Sequence, residues 1–97
     1  MRYLTIDGML NGTGIRDAVN GGYILPEDLG LSSEICQIIS TWLEKYASEH
    51  FKGYKDDALI EELDLEGKVI AQRIKNELKE IKLQYFSDAK AIKEIIE

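Results

Sequence analysis

Two β-prone runs stand near the ends of this chain, and everything between them reads as loop and helix. Tyr3-Leu4-Thr5-Ile6 is a short apolar and β-branched run that stops at Asp7-Gly8. Ile81, Leu83 and Tyr85 alternate with Lys82, Gln84 and Phe86, the period-two pattern of a half-buried strand. Strands linked through helices pair in parallel by default, because a hairpin cannot join them. This constraint predicts an α/β class: a small single domain over residues 1–97, in the order β-loop-α-α-β-α. Its short parallel sheet of two or three strands is packed by helices. Two strands alone are marginal. A third is therefore expected from Tyr23–Leu25, or else an exposed edge that a second copy covers as a homodimer.

The intervening segments have distinct characters. Residues 7–31 carry Gly8, Gly12, Gly14, Gly21, Gly22 and Gly30 together with Pro26, the only proline, and read as an ordered irregular loop. Ser32 or Ser33 caps a first helix, with Glu34 favourably placed against its dipole. Ile35, Ile39, Trp42, Leu43 and Tyr46 recur at helical spacing, and the pattern ends near Ser48 to His50. A second helix starts near Asp56 or Asp57, with the stripe Ile60, Leu63, Ile70, Ile74 and Leu78. Gly67 lies on that stripe. A mid-helix glycine costs about 1 kcal/mol relative to alanine, so it predicts either a close crossing of the first helix or a break. Ser87 is placed to cap a last helix over 88–96, with Ile92, Ile95 and Ile96 packing inward.

Composition narrows the function classes. The 97 residues supply one core and not two. No stretch approaches the roughly 20 apolar residues of a membrane span, so no membrane association is expected. The N-terminal segment lacks a basic region followed by a long apolar run, unlike a signal peptide. A single thiol, Cys36, fits a reducing, cytoplasmic setting. The formal net charge of −6 argues against nucleic acid as a partner, since phosphate binding rests on Lys and Arg.

Candidate chemistry is sparse. The loop Asp7-Gly8-Met9-Leu10-Asn11-Gly12-Thr13-Gly14-Ile15-Arg16-Asp17 follows a strand, as phosphate loops do, but its G-x-x-x-G-x-G spacing matches neither the dinucleotide fingerprint nor the P-loop. It reads as a turn tied to the body by Arg16 and Asp17. The alternative is a small enzyme or ligand-binding domain in which Asp7, Gly12, Gly14, Arg16 and Asp17 hold a phosphate or a metal. His50 and Cys36 are not at ligand spacing, so no metal site and no cofactor are expected. Cys36 lies in the first turn of a helix, which lowers a thiol pKa, but its place beside Ile35 reads as a small buried hydrophobe. No catalytic residue is singled out, and the chain reads as non-enzymatic.

Charge patterning carries more information. Between Asp56 and Glu66 stand six acidic residues, Asp56, Asp57, Glu61, Glu62, Asp64 and Glu66, and no basic one. On a helix, Asp57, Glu61 and Asp64 share a face at three- and four-residue spacing, and like charges so placed repel. One explanation is a solvated face whose acids complement the helix dipole. The other is a docking face for a basic partner, reached faster by long-range attraction. On that reading Tyr54 serves as an apolar anchor, with Phe51 beside it and Tyr23 from the loop.

Five segments carry a resemblance: Asn11-Gly12-Thr13-Gly14-Ile15-Arg16-Asp17, Gly21-Gly22-Tyr23, Trp42-Leu43-Glu44-Lys45-Tyr46, Leu63-Asp64-Leu65-Glu66-Gly67 and Tyr85-Phe86-Ser87-Asp88-Ala89. Together the pattern resembles small bacterial immunity proteins of polymorphic-toxin and contact-dependent growth inhibition systems. Size, acidity and α/β order are also similar to barstar-type ribonuclease inhibitors, although the binding segment of those inhibitors has no counterpart here. The resemblance implies a cognate toxin domain as partner, often a nuclease, whose basic cleft is blocked. It transfers no contact residue.

Overall fold

The computed structural model describes all 97 residues. Four strands, β1 (Arg2–Asp7), β2 (Ile15–Asp17), β3 (Ile81–Ser87) and β4 (Ile92–Ile96), accompany two helices, α1 (Ser33–Phe51) and α2 (Asp57–Glu77), and a short 3-10 turn at Pro26–Leu29. Both helix starts follow from local chemistry. The Ser32 side chain accepts the Ile35 N–H and the Asp56 carboxylate accepts the Leu59 N–H, each satisfying a donor that the helix leaves unpaired. The Ser32 N–H and hydroxyl also donate to the Glu77 carboxylate at 2.9 and 2.8 Å. This ties the first turn of α1 to the last turn of α2.

The sheet order is β2-β1-β3-β4. β1 and β3 pair in parallel from Arg2↔Ile81 to Asp7↔Phe86, as strands joined through helices do. β2 lies antiparallel to β1 and β4 antiparallel to β3. Leu4, Ile6, Ile81, Leu83 and Tyr85 share one face and merge with Ile35, Ile39, Trp42, Ile60, Leu63, Ile70 and Ile74 of the helices into a single core. No helix is long and apolar enough to cross a membrane.

The α/β class stands, and two details of the expected order change. First, the segment 88–96 is not a helix. The Ala91 N–H closes a turn on the Ser87 carbonyl at 2.7 Å, Ala91 takes φ +56°, and Ile92–Ile96 returns as β4 against β3. A positive φ at a non-glycine residue does not continue into a right-handed helix, so the cap signal at Ser87 is spent on a hairpin. Of the three isoleucines expected to point inward only Ile96 is buried; Ile92 and Ile95 are exposed. Second, the sheet has four strands. The third is Ile15–Asp17, inside the glycine-rich loop, and Tyr23 contributes only a bridge to Arg16. The burial of Ile15, complete in the structure, is what pulls this segment onto the sheet.

Gly67 resolves in favour of a crossing and against a break. α2 is continuous through it, and a Cβ there would stand 2.7 Å from Cζ2 of Trp42 and clash with the edge of the Tyr85 ring.

Candidate interaction surface

The acidic segment divides into a buried part and an exposed part. Asp64 is 5% exposed and faces the core. It accepts hydrogen bonds from the phenols of Tyr46 (2.9 Å) and Tyr85 (2.6 Å) and from the Ser87 hydroxyl (2.7 Å). This corrects the expectation that it shares a solvated face with Asp57 and Glu61. A buried carboxylate needs its lone pairs filled, and three hydroxyls from α1 and β3 fill them. Burial, followed by Asp64 itself, pushes the Tyr85 phenol well above its ordinary pKa. At Tyr46 burial outweighs the opposing hydrogen bonds from Ser87 and Ala89, raising the phenol to about 12. These groups lock α1, α2 and β3 together.

The remaining acids lie at the surface of α2. Glu61 is joined to Lys90 of the β3–β4 turn, and Glu66 to Lys45 of α1 at 2.7 Å. Asp56 is the helix cap. Asp57 and Glu62 are exposed and enter no ion pair. On the same outward side, Ala58, Glu62, Leu65 and Val69 follow one another at steps of four and three residues, opposite the buried stripe Ile60, Leu63, Gly67, Ile70 and Ile74. Leu65 and Val69 are 59% and 61% exposed. Beside Leu65 a shallow cleft of about 130 Å³ opens between α2 and β4, with Ile92 on its far wall and the ion pairs Glu61–Lys90 and Lys68–Glu94 at its sides. Leu65 and Ile92 thus supply the exposed apolar lining of a charged cleft, and Val69 extends the apolar row one turn further along α2. Sequence reasoning passed over Leu65 and Val69 and took Ile92 as packing inward. The signal available for Leu65 and Val69 was their position half a turn away from the core stripe.

Tyr54, expected as an anchor, is held from within. It takes φ +55° and its hydroxyl donates to the Asp88 carboxylate at 2.8 Å. It also meets His50 Nδ1 at 3.2 Å. Its ring packs edge-on against Tyr46. Burial, then Asp88, raises its pKa. Neighbouring Phe51 is exposed.

The glycine-rich loop is likewise closed on itself. Asp7 is fully buried. Its carboxylate meets Arg16 Nη2 at 2.6 Å and accepts the Tyr23 hydroxyl at 3.0 Å and the Met9 N–H at 3.2 Å. Burial and the charge of Asp7 raise the Tyr23 phenol to about 12. Asp17 accepts the N–H groups of Val19 and Asn20, which hold its pKa down. Gly12 and Gly14 are required by packing: a Cβ would come within 2.8 Å of the Tyr23 ring and of Ile39 respectively. Of the charged groups expected to face a phosphate or metal, Asp7 and Arg16 therefore face one another and Asp17 closes its own turn.

Cys36 is half-buried, and burial pushes its thiol pKa up. No three His, Cys, Asp or Glu side chains converge in an arrangement able to hold a metal ion. What fold and surface define is a two-helix, four-stranded mixed α/β domain with an acidic, partly apolar helix face. No protein-family model, curated protein or solved structure matches the chain.

Proposed function

We propose that this chain is a non-enzymatic binding protein of the immunity type, which neutralises a cationic toxin domain by covering its basic cleft. The observation that carries the reading is the outward row of α2, where exposed Leu65 and Val69 stand in line with the unpaired carboxylate of Glu62, with the unpaired carboxylate of Asp57 in the first turn to one side. An apolar centre with a charged rim is the anatomy of a protein–protein interface. The carboxylates at the rim, with Asp56, Glu61 and Glu66 beside them, attract a basic surface and speed the encounter. The net charge of −6 acts in the same direction. Compared with the sequence expectation, the contact set moves: Asp64 and Tyr54 become supports of the face, and Leu65 becomes its centre. The ligand-loop reading is weaker, because Asp7, Arg16 and Asp17 are already paired within the loop.

The test is protection. Co-expression with a toxic domain encoded beside this chain should rescue growth, and Glu62→Lys or Leu65→Asp should remove the rescue while circular dichroism stays unchanged. Rescue that survives both substitutions, or neighbouring reading frames without toxicity, sinks the proposal.

A further inference from the structure

The sheet ends differently on its two sides. The outer edge of β2 is sealed by the chain itself. Tyr23 bridges Arg16, the Asp17 N–H donates to the Gly22 carbonyl at 3.0 Å, and the Ile24 N–H donates to the Ile15 carbonyl at 2.9 Å. The outer edge of β4 pairs with nothing. Natural edge strands are usually shortened, bulged, interrupted by proline, studded with charge or covered. Of these devices β4 carries only charge, at Lys93 and Glu94. It holds an unbroken five-residue ladder with β3, contains no proline, and is fixed at its end by Lys75 Nζ donating to the Ile96 carbonyl at 2.7 Å. Ile95 is 75% exposed.

We infer that the outer edge of β4 pairs antiparallel with β4 of a second copy of this chain, about a two-fold axis at Ile95, so that two four-stranded sheets become one. The register follows from charge and backbone. A two-fold normal to the sheet keeps each face on its own side, so only residues of equal parity oppose one another. An axis at Lys93 sets lysine against lysine. An axis at Glu94 sets carboxylate against carboxylate. An axis at Ile92 requires Lys90 and Ala91 to extend as strand, yet Ala91 is held at φ +56° in the turn and Lys90 is engaged with Glu61. An axis at Ile95 places Ile95 on its own copy and sets Lys93 opposite Glu97 twice. Neither Lys93 nor Glu97 has an ion-pair partner within the chain. Opposite-charge and β-branched cross-strand pairs are the units that stabilise such ladders.

A five-residue ladder is a small contact beside the roughly 1,200 Å² and more of standard specific interfaces, so association is to be sought at high concentration.

Sedimentation velocity over a concentration series up to about 1 mM is expected to show a monomer–dimer equilibrium. Ile95→Lys should leave the fold intact and abolish the dimer. Lys93→Glu should weaken association, and adding Glu97→Lys in the same chain should restore it. In a Cys36→Ala background, Ile95→Cys should cross-link to itself on mild oxidation, while Lys93→Cys should cross-link only when mixed with a Glu97→Cys chain. A wild-type chain that stays monomeric throughout overturns the inference. So does a dimer indifferent to Ile95→Lys, or self-linking of Lys93→Cys equal to that of Ile95→Cys.

Discussion

The indole N–H of Trp42 on α1 donates to the main-chain carbonyl of Leu63 in the middle of α2, at 2.9 Å. A carbonyl inside an unbroken helix is reachable by a bulky ring only if the next turn is bare, and Gly67 supplies that bare turn.

Gly67→Ala should therefore destabilise the chain, although alanine is the better helix former by about 1 kcal/mol. The added methyl has no room between Trp42 and Tyr85, and overpacking of this kind costs about 1–3 kcal/mol. A lower urea midpoint at unchanged m-value is the expected result.

Removing the Asp64 carboxylate takes the acceptor from three buried hydroxyls, and each donor left unsatisfied costs about 1–3 kcal/mol. Asp64→Ala should thus lose at least about 3 kcal/mol. Asp64→Asn, which keeps one acceptor oxygen, should lose less. Chemical denaturation of the two variants side by side checks the order.

Alkaline pH should unfold the chain early. The phenols of Tyr23 and Tyr46 are raised from 10 to about 12, and those of Tyr54 and Tyr85 are raised also. The folded chain holds these protons more tightly than the unfolded one. Stability is therefore whole below pH 10 and drains away as pH rises towards 12. Thermal melts across that window should fall steadily. Tyr85→Phe should flatten the fall even as it lowers stability at neutral pH.

Arg16→Met leaves the Asp7 charge buried with only the Tyr23 hydroxyl and the Met9 N–H to meet it; because Arg16 is itself one-third exposed, the loss should fall below the roughly 3–5 kcal/mol of a fully buried pair. Combining it with Asp7→Asn should cost less than the sum of the two single changes, because both act on one contact. Equilibrium unfolding of the cycle measures the coupling.

Leu65→Asp should leave stability within about 0.5 kcal/mol of the parent, as surface changes do. If the melting temperature drops sharply, Leu65 belongs to the core and the interface is misplaced.

Periodicity was a good guide wherever a stripe faces one continuous layer. Ser32, Asp56 and the apolar positions of α1 and α2 lie as spacing predicts, and the period-two run 81–86 is β3. It failed where two periods coincide. Ile92, Ile95 and Ile96 fit a helical stripe, but Ile92 and Ile96 fit a strand face equally, and the free edge of β3 decides. Asp64 misled for a related reason. It is spaced from Asp57 and Glu61 like a surface acid, yet it is also four residues past Ile60 and three before Gly67, which places it on the buried stripe. The partners that make its burial tolerable, Tyr46, Tyr85 and Ser87, are remote in sequence. The pairing of Asp7 with Tyr23 is equally non-local.

The bridge between Tyr23 and Arg16 also limits growth. A sheet able to accept a neighbour along both margins is a seed for an endless ribbon, and one closed along a single margin is a terminator. Because the loop stoppers the β2 side in every copy, strand addition through β4 could run for one step only and would leave no open margin on either side.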